Sequence, residues 1–305
     1  MLVRNDPDSR GKGRALRWAT DRLLADVNGP DAIAIVDADS HADSGFLEAL
    51  VRPFARGAPA VQGESLLIDD GTPAASFRAA AFLLVNRVRP SGRAVLGLPC
   101  HLAGNGILLA SAVLRTTPWD AFTSAEDLEY SLELRIRGIG PTFAGGAILH
   151  SPAAPNPAAA AEQQLRWEGG KLHLARTWLP KLLATAVRER RPLLLDAAFD
   201  LAVPPLGLLT AAATAGAAAA ITLEATDVIP AWPLLPWLAA VAAIPLYVVV
   251  GLRAAHAPAS AYRAIVRAPI YVALKLVRLR RAYRFRGDTW VRTERADPRK
   301  EHEDE

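Results

Sequence analysis

The sequence predicts an α/β domain with a mostly parallel sheet, followed by a transmembrane helical hairpin and an amphipathic basic segment. Three observations lead there. Up to about residue 150, short apolar runs alternate with amphipathic stretches, the pattern of strands joined by crossover helices. Residues 203–223 and 228–252 carry no charge, and each is long enough to span about 30 Å of hydrocarbon. Asp37 and Asp39 close the apolar run 32–36, where an α/β sheet presents ligand-binding groups.

The elements follow in order. Residues 16–27 read as a helix, 32–36 as a strand, 44–54 as a helix and 60–68 as a second strand. A helix over 75–89, a short strand over 106–110, a helix over 125–137 and an extended run over 141–149 complete the pattern. Residues 151–161, with Pro152, Pro155 and Pro157, read as a loop that leads into the helix carrying Gln163. The organisation expected is an α/β domain over 1–195, a hairpin over 196–255, an interfacial helix and basic segment over 256–295, and a disordered charged tail over 296–305.

With 51% apolar residues, a sizeable core is no difficulty. The net charge of +4 owes most to arginines clustered after residue 250, which points to a membrane surface rather than nucleic acid. A single cysteine, Cys100, excludes an intrachain disulfide and a thiolate metal site. Arg176, Lys181, Arg188, Arg190 and Arg191 precede the two apolar segments, and Arg253, Arg263 and Arg267 follow them. Between the segments lie Glu224 and Asp227. This asymmetry places both flanks and the α/β domain of a multi-pass membrane protein in the cytoplasm. The competing structural reading is a buried helical hairpin, since the first segment is rich in alanine.

Each chemistry-bearing residue has a structural alternative. Asp37 and Asp39 suit a hard divalent cation, Mg²⁺ or Mn²⁺, held by one or two carboxylates plus substrate phosphates; otherwise they are turn residues, although Asp43 and Ser44 are better placed to cap the next helix. In Glu126 and Asp127, one carboxylate suits a general base. Thr123 and Ser124, three residues before them, offer capping-box spacing instead. Gln163, Arg166 and Trp167 share one helical face, fitted to diphosphate charge and a pyranose ring, or to a core anchored by the indole. Lys12, between Gly11 and Gly13, precedes a helix and could approach a nucleotide. Gly104 and Asn105 form a turn, or a place where an acceptor meets the backbone.

In order and spacing, Asp37-Ala38-Asp39, Glu126-Asp127, Gln163-Gln164-Leu165-Arg166-Trp167 and the apolar hairpin resemble the membrane-bound family 2 glycosyltransferases of the GT-A fold, the branch of cellulose, hyaluronan and poly-N-acetylglucosamine synthases. The resemblance covers nearly the whole chain, and Trp290-Val291-Arg292-Thr293 is similar to the end of related bacterial synthases. It implies a Rossmann-like catalytic domain and a metal-dependent, inverting transfer of a hexose or N-acetylhexosamine from a nucleotide sugar, expected as its UDP form, to a glycan or lipid acceptor. By the same resemblance Asp37 and Asp39 bind metal and diphosphate. Asp127 is the base, with Glu126 beside it. Gln163, Arg166 and Trp167 hold the pyrophosphate, Trp167 with Gly104 and Asn105 borders the acceptor, and Lys12 lies near the nucleotide.

In that fold two strands precede the Gly-Lys-Gly segment, whereas here only Leu2 and Val3 precede Arg4, so the chain is expected to be truncated at its amino terminus. Two spans are too few for a polysaccharide channel, so partner subunits for export are expected. Three other readings stand beside this one: a single-transfer glycolipid synthase similar to ceramide glucosyltransferases, an inactive membrane-anchored fragment, and a haloacid-dehalogenase-like phosphohydrolase, whose first motif Asp37-Ala38-Asp39-Ser40 also resembles.

Overall fold

The computed structural model describes residues 1–6, 9–26, 28–154 and 156–273. Five strands, β1 (Ala32–Ile35), β2 (His41–Ala42), β3 (Ala60–Leu67), β4 (Ile107–Ala110) and β5 (Thr142–Ser151), form one sheet in the order β1-β4-β3-β5-β2. Here the expectation of a mostly parallel sheet is corrected. Only β3 and β5 pair in parallel, while β1–β4, β3–β4 and β2–β5 are antiparallel. The connection from β3 to β4, over residues 68–106, is long enough to return the chain to the sheet from either end, so periodicity could not fix the direction of β4.

Alternation along β3 and β4 gives the sheet two apolar faces. Ala60, Ile107 and Leu109 face a core with Trp119, Tyr130 and Leu134, covered by α1 (Lys12–Leu24), α5 (Ser111–Thr116) and α6 (Glu126–Ile136). Val61 and Leu108 face Phe46 and Leu50 of α2 (Phe46–Ala55). Between them Gly63 is squeezed by β5, where an added Cβ would lie 2.7 Å from the Ala147 carbonyl oxygen. The β3–β5 register also shifts there, between Gln62 and Glu64.

After β3 the chain forms α3 (Pro73–Leu83), a π-helical turn (Leu84–Val88) and α4 (Arg89–Val95), where one helix over 75–89 was expected. A short strand, β2, and a short helix, α5, were not foreseen. Beyond β5 comes the long helix α7 (Pro157–Arg188). It packs with α6 and α8 (Pro192–Ala202) around Leu174, Leu182, Leu194 and Leu201, so α8 crosses position 195 as part of the same helical layer.

The two charge-free segments become α9 (Leu206–Ala225) and α10 (Leu234–Ala254), both long and apolar enough to cross a membrane. Most of their side chains are exposed, so the pair is not the buried core hairpin of the competing reading. They pack closely where Gly216 faces the Trp237 ring. The last turn of α10 docks on the π-helical turn, Gly251 against Leu84 and Val88. Of the interfacial helix expected from Ser260 onward, the structure describes the part up to residue 273. α11 (Ala259–Ile265) is followed by a turn at Val266 and Arg267, the chain is helical again over 268–273, and α11 packs against α3. Ala261 and Ala264 are buried, Phe77 stacks on Tyr271 at 4.3 Å, and Ser260 donates to Asp69. The basic segment beyond residue 273, Trp290-Val291-Arg292-Thr293 and the tail lie outside the described residues.

Candidate active site

The site gathers at the carboxyl end of β1. Helix α1 begins at Lys12, with Gly11 as its N-cap at φ 125°, so the Gly-Lys-Gly segment is itself the helix start. Gly13 is needed because the helix lies against the chain at Ala121, whose carbonyl oxygen would be 2.1 Å from an added Cβ. A lysine in a first helical turn opposes the helix macrodipole. It is held instead by two oxygen acceptors, since Lys12 Nζ donates to Asp37 Oδ1 and to the Gly104 carbonyl oxygen, both at 2.5 Å.

Asn105 fastens the opposite wall. Its Oδ1 accepts from the Asp37 backbone N–H at 3.0 Å, and its Nδ2 donates to Ser40 Oγ at 2.8 Å and Ser151 Oγ at 3.2 Å. Gln62, buried in β3, donates to the Asn105 carbonyl oxygen at 2.7 Å and accepts from the Ala103 N–H at 2.8 Å. Gly104 has φ 74°, and an added Cβ would lie 2.9 Å from Asp127 Oδ2. The bare backbone there is what lets Asp127 pack against the turn.

Glu126 and Asp127 open α6, and the capping alternative fails. The N-cap is Ala125 with no side-chain cap, and among the described residues the hydroxyls of Thr123 and Ser124 make no hydrogen bond. Asp127 Oδ1 instead accepts from the Leu128 N–H at 2.8 Å. Densely packed surroundings raise the proton affinity of both carboxyls. Burial, then the neighbouring Asp127, pushes Glu126 up to about 7 against the pull of Lys12 and Arg166. Burial likewise raises Asp127, opposed by the Leu128 N–H, Lys12 and His101. Nor do Asp43 and Ser44 cap α2, whose N-cap is Gly45; Asp43 pairs with His150 at 3.2 Å.

From α7, Arg166 reaches Glu126 electrostatically, and the half-exposed Trp167 packs its ring against Phe82 at 5.5 Å. Gly170, one turn further along the same face, explains the approach. An added Cβ would lie 2.8 Å from Ser124 Oγ and 2.9 Å from Ala125 Cβ. Thus Lys12, Asp37, Gly104, Asn105 and Asp127 meet through direct contacts, Arg166 joins them through Glu126, and Trp167 stands at the rim on Phe82. Asp39 is half-buried two positions beyond Asp37, and Gln163 is half-buried one turn before Arg166.

A match to the family model for glycosyl transferase family group 2 covers residues 32–253, from β1 through α10. The chain belongs to that family. It is a glycosyltransferase, and membership implies a nucleotide-sugar donor and an acceptor as its substrates. A search of curated proteins returns no match. The match takes in Asp37, Asp39, Glu126, Asp127, Gln163, Arg166, Trp167 and both apolar helices of this family 2 enzyme.

Sequence reasoning passed over Gln62, His101, Phe82 and Gly170. Gln62 had a signal, a polar residue inside an apolar strand run, which must find partners when buried. Gly170 had a weaker one, since it follows Gln163 by seven positions on one helical face. Among the described residues no group of three or more His, Cys, Asp or Glu gathers to hold a metal ion. Asp37 and Asp39 supply two carboxylates, one already engaged by Lys12. That donor set fits a hard divalent ion sharing its coordination with a substrate diphosphate, and does not fit an all-protein cage.

Proposed function

We propose that this family 2 glycosyltransferase moves a hexose or N-acetylhexosamine from a UDP-sugar to a glycan acceptor by a single inverting displacement at the cytoplasmic face of a membrane. One observation carries the reading: a half-buried carboxyl pair of raised proton affinity, with Asp127 packed against Gly104, Lys12 and Arg166 in its electrostatic surroundings, and Lys12 in turn paired with Asp37.

In this reading Asp127, ionised, takes the proton of the acceptor hydroxyl as that oxygen bonds to the anomeric carbon. The bond from that carbon to the phosphate oxygen breaks, and its electron pair leaves with the diphosphate. Lys12 and Arg166 offset the charge developing on the leaving group. Asp37 and Asp39 would hold Mg²⁺ or Mn²⁺, which when bound would supply further positive charge to the diphosphate. The Gly104–Asn105 turn offers bare backbone to the acceptor, and the exposed part of the Trp167 indole offers a flat apolar surface for a pyranose ring.

The orientation is supported by the acidic connector between α9 and α10 and the basic residues on the catalytic side of both helices. The test is transfer by the chain in lipid nanodiscs from UDP-hexoses and UDP-N-acetylhexosamines with Mn²⁺. A ladder of products supports glycan extension, whereas one discrete glycolipid overturns the glycan acceptor and keeps the chemistry. No product from any donor, together with no UDP binding by calorimetry, refutes the proposal.

A further inference from the structure

Five consecutive residues, 101–105, pass Asp127 at Gly104, and each is tied to a different part of the molecule. Leu102 N–H donates to Ser131 Oγ of α6 at 3.2 Å, and Ala103 N–H to Gln62 of β3 at 2.8 Å. The Gly104 carbonyl accepts from Lys12 of α1, and Asn105 holds the backbone of Asp37. The remaining tie, at His101, leads away from the site. Its Nδ1 lies 3.7 Å from Asp200 Oδ2, near the end of α8.

Asp200 belongs to a partly buried ionic network that fastens α8. It pairs with Arg89 and, at 3.2 Å, with Arg93 of α4, while Asp196 pairs with Arg93 at 2.5 Å and with Arg135 of α6 at 2.9 Å. Lys171 of α7 donates to the Val203 carbonyl at 2.8 Å, closing the end of α8. Two residues later, after Pro204 and Pro205, the chain enters α9, the first of the apolar helices. Burial works against the Asp200 charge, but His101, Arg89 and Arg93 outweigh it and hold this carboxyl well below the usual range. Breaking one partner of such an anchor leaves another charge poorly compensated.

We propose that His101 is a positioning residue, which sets the Gly104–Asn105 turn in register with Asp127 and connects that turn through Asp200 to α8 and the first apolar helix. The inference rests on the reading of Asp127 as the base. Its electrostatic consequence follows from the surroundings. Asp127 is faced by Lys12 from α1, by Glu126 on its own helix with Arg166 of α7 beyond it, and by His101 from the turn. His101 in turn is faced by Asp200, with Arg89, Arg93 and Lys171 around that carboxylate. When His101 carries its proton, it favours the ionised form of Asp127, the form a base needs.

The test compares His101→Gln, His101→Arg, Asp200→Asn and the double variant His101→Gln/Asp200→Asn with the parent in nanodiscs. Two readouts are followed against pH: kcat/KM for transfer, and the carboxyl ¹³C signal of Asp127, assigned by its loss in Asp127→Asn. In His101→Gln both the acid limb of kcat/KM and the carboxyl titration move up, by roughly half a unit to one unit, a loss of about three- to tenfold on the acid side. His101→Arg places a permanent positive charge at this position and restores both.

In the double variant the shift is no larger than in His101→Gln alone, as a shared path requires. An unmoved carboxyl titration in His101→Gln overturns the inference, as do additive shifts in the double variant or failure of His101→Arg to restore. If the parent transfers no sugar from any donor, the glycosyl-transfer reading has failed on its own. The carboxyl titration then still decides whether His101 acts on Asp127.

Discussion

Gly104 and Gly97 form a matched pair that separates backbone strain from contact with the candidate base. Both sit in the left-handed region, Gly97 at φ 69° and Gly104 at φ 74°. A Cβ added at Gly97 would meet nothing within 4 Å, whereas at Gly104 it would lie 2.9 Å from Asp127 Oδ2 and 3.5 Å from Asp127 Cγ. Alanine at either position costs about 1 kcal/mol for the backbone conformation alone. Gly104→Ala adds an overpacking cost of about 1–3 kcal/mol, because either the carboxylate or the pinned turn must give way. At about 2–4 °C per kcal/mol for a chain of this size class, Gly97→Ala should lower the melting temperature by about 3 °C and Gly104→Ala by about 6–12 °C. Moving Asp127 by a few tenths of an ångström should also slow transfer by about tenfold or more, while Gly97→Ala leaves it unchanged. Melting in nanodiscs and UDP release at saturating donor measure the two effects. Equal melting temperatures for the two variants, with full transfer by Gly104→Ala, would refute the reasoning.

Three further expectations follow from the same geometry. Gly170→Ala gains about 1 kcal/mol of helix propensity but loses about 1–3 kcal/mol against Ser124 and Ala125, so it should melt lower and transfer more slowly as Arg166 is levered from Glu126; a higher melting temperature with unchanged transfer would count against it. The Glu126 carboxyl, raised from the ordinary 4.5 to about 7, binds its proton more tightly in the folded state than in the unfolded one. Its contribution to stability is therefore fully present below about pH 4.5 and is lost as pH rises towards 7, and a melting series against pH should be flatter for Glu126→Gln than for the parent. Asp127→Asn should reduce transfer by about 10²–10⁴-fold and melt no lower than the parent at pH 8, where it relieves a buried charge; UDP release and a thermal melt check both.

The legible parts of this molecule were those written in local pattern. The run before Asp37 became β1, the two charge-free segments became α9 and α10, and the Gln163, Arg166 and Trp167 face lies on one continuous helix. Trp167 could be assigned to a helical face from spacing alone, but its partner Phe82 comes from another element, 85 positions earlier (167 − 82), and no local pattern links them. The roles of Thr123 and Ser124 were ambiguous for a related reason. Capping-box spacing is a local rule, and here the close approach of Gly170 and the burial of Asp127 override it. The break of the 75–89 helix into α3, a π-helical turn and α4 was likewise invisible, because it occurs where Gly251 of α10 docks.

The sequence by itself determined the strand and helix periodicities, the two apolar helices with their charged flanks, and the residue types that can hold a diphosphate and remove a proton. Those are properties of short windows, set by side-chain chemistry and backbone geometry. Tertiary structure alone decided the antiparallel entry of β4, the pinning of residues 101–105 by five separate elements, and the burial that raises the proton affinity of Glu126 and Asp127. It also decided the ionic anchor that carries α8 towards the first apolar helix. Each of these depends on groups far apart in the chain, and the strength of a charge or a hydrogen bond is fixed by how much water its neighbours exclude.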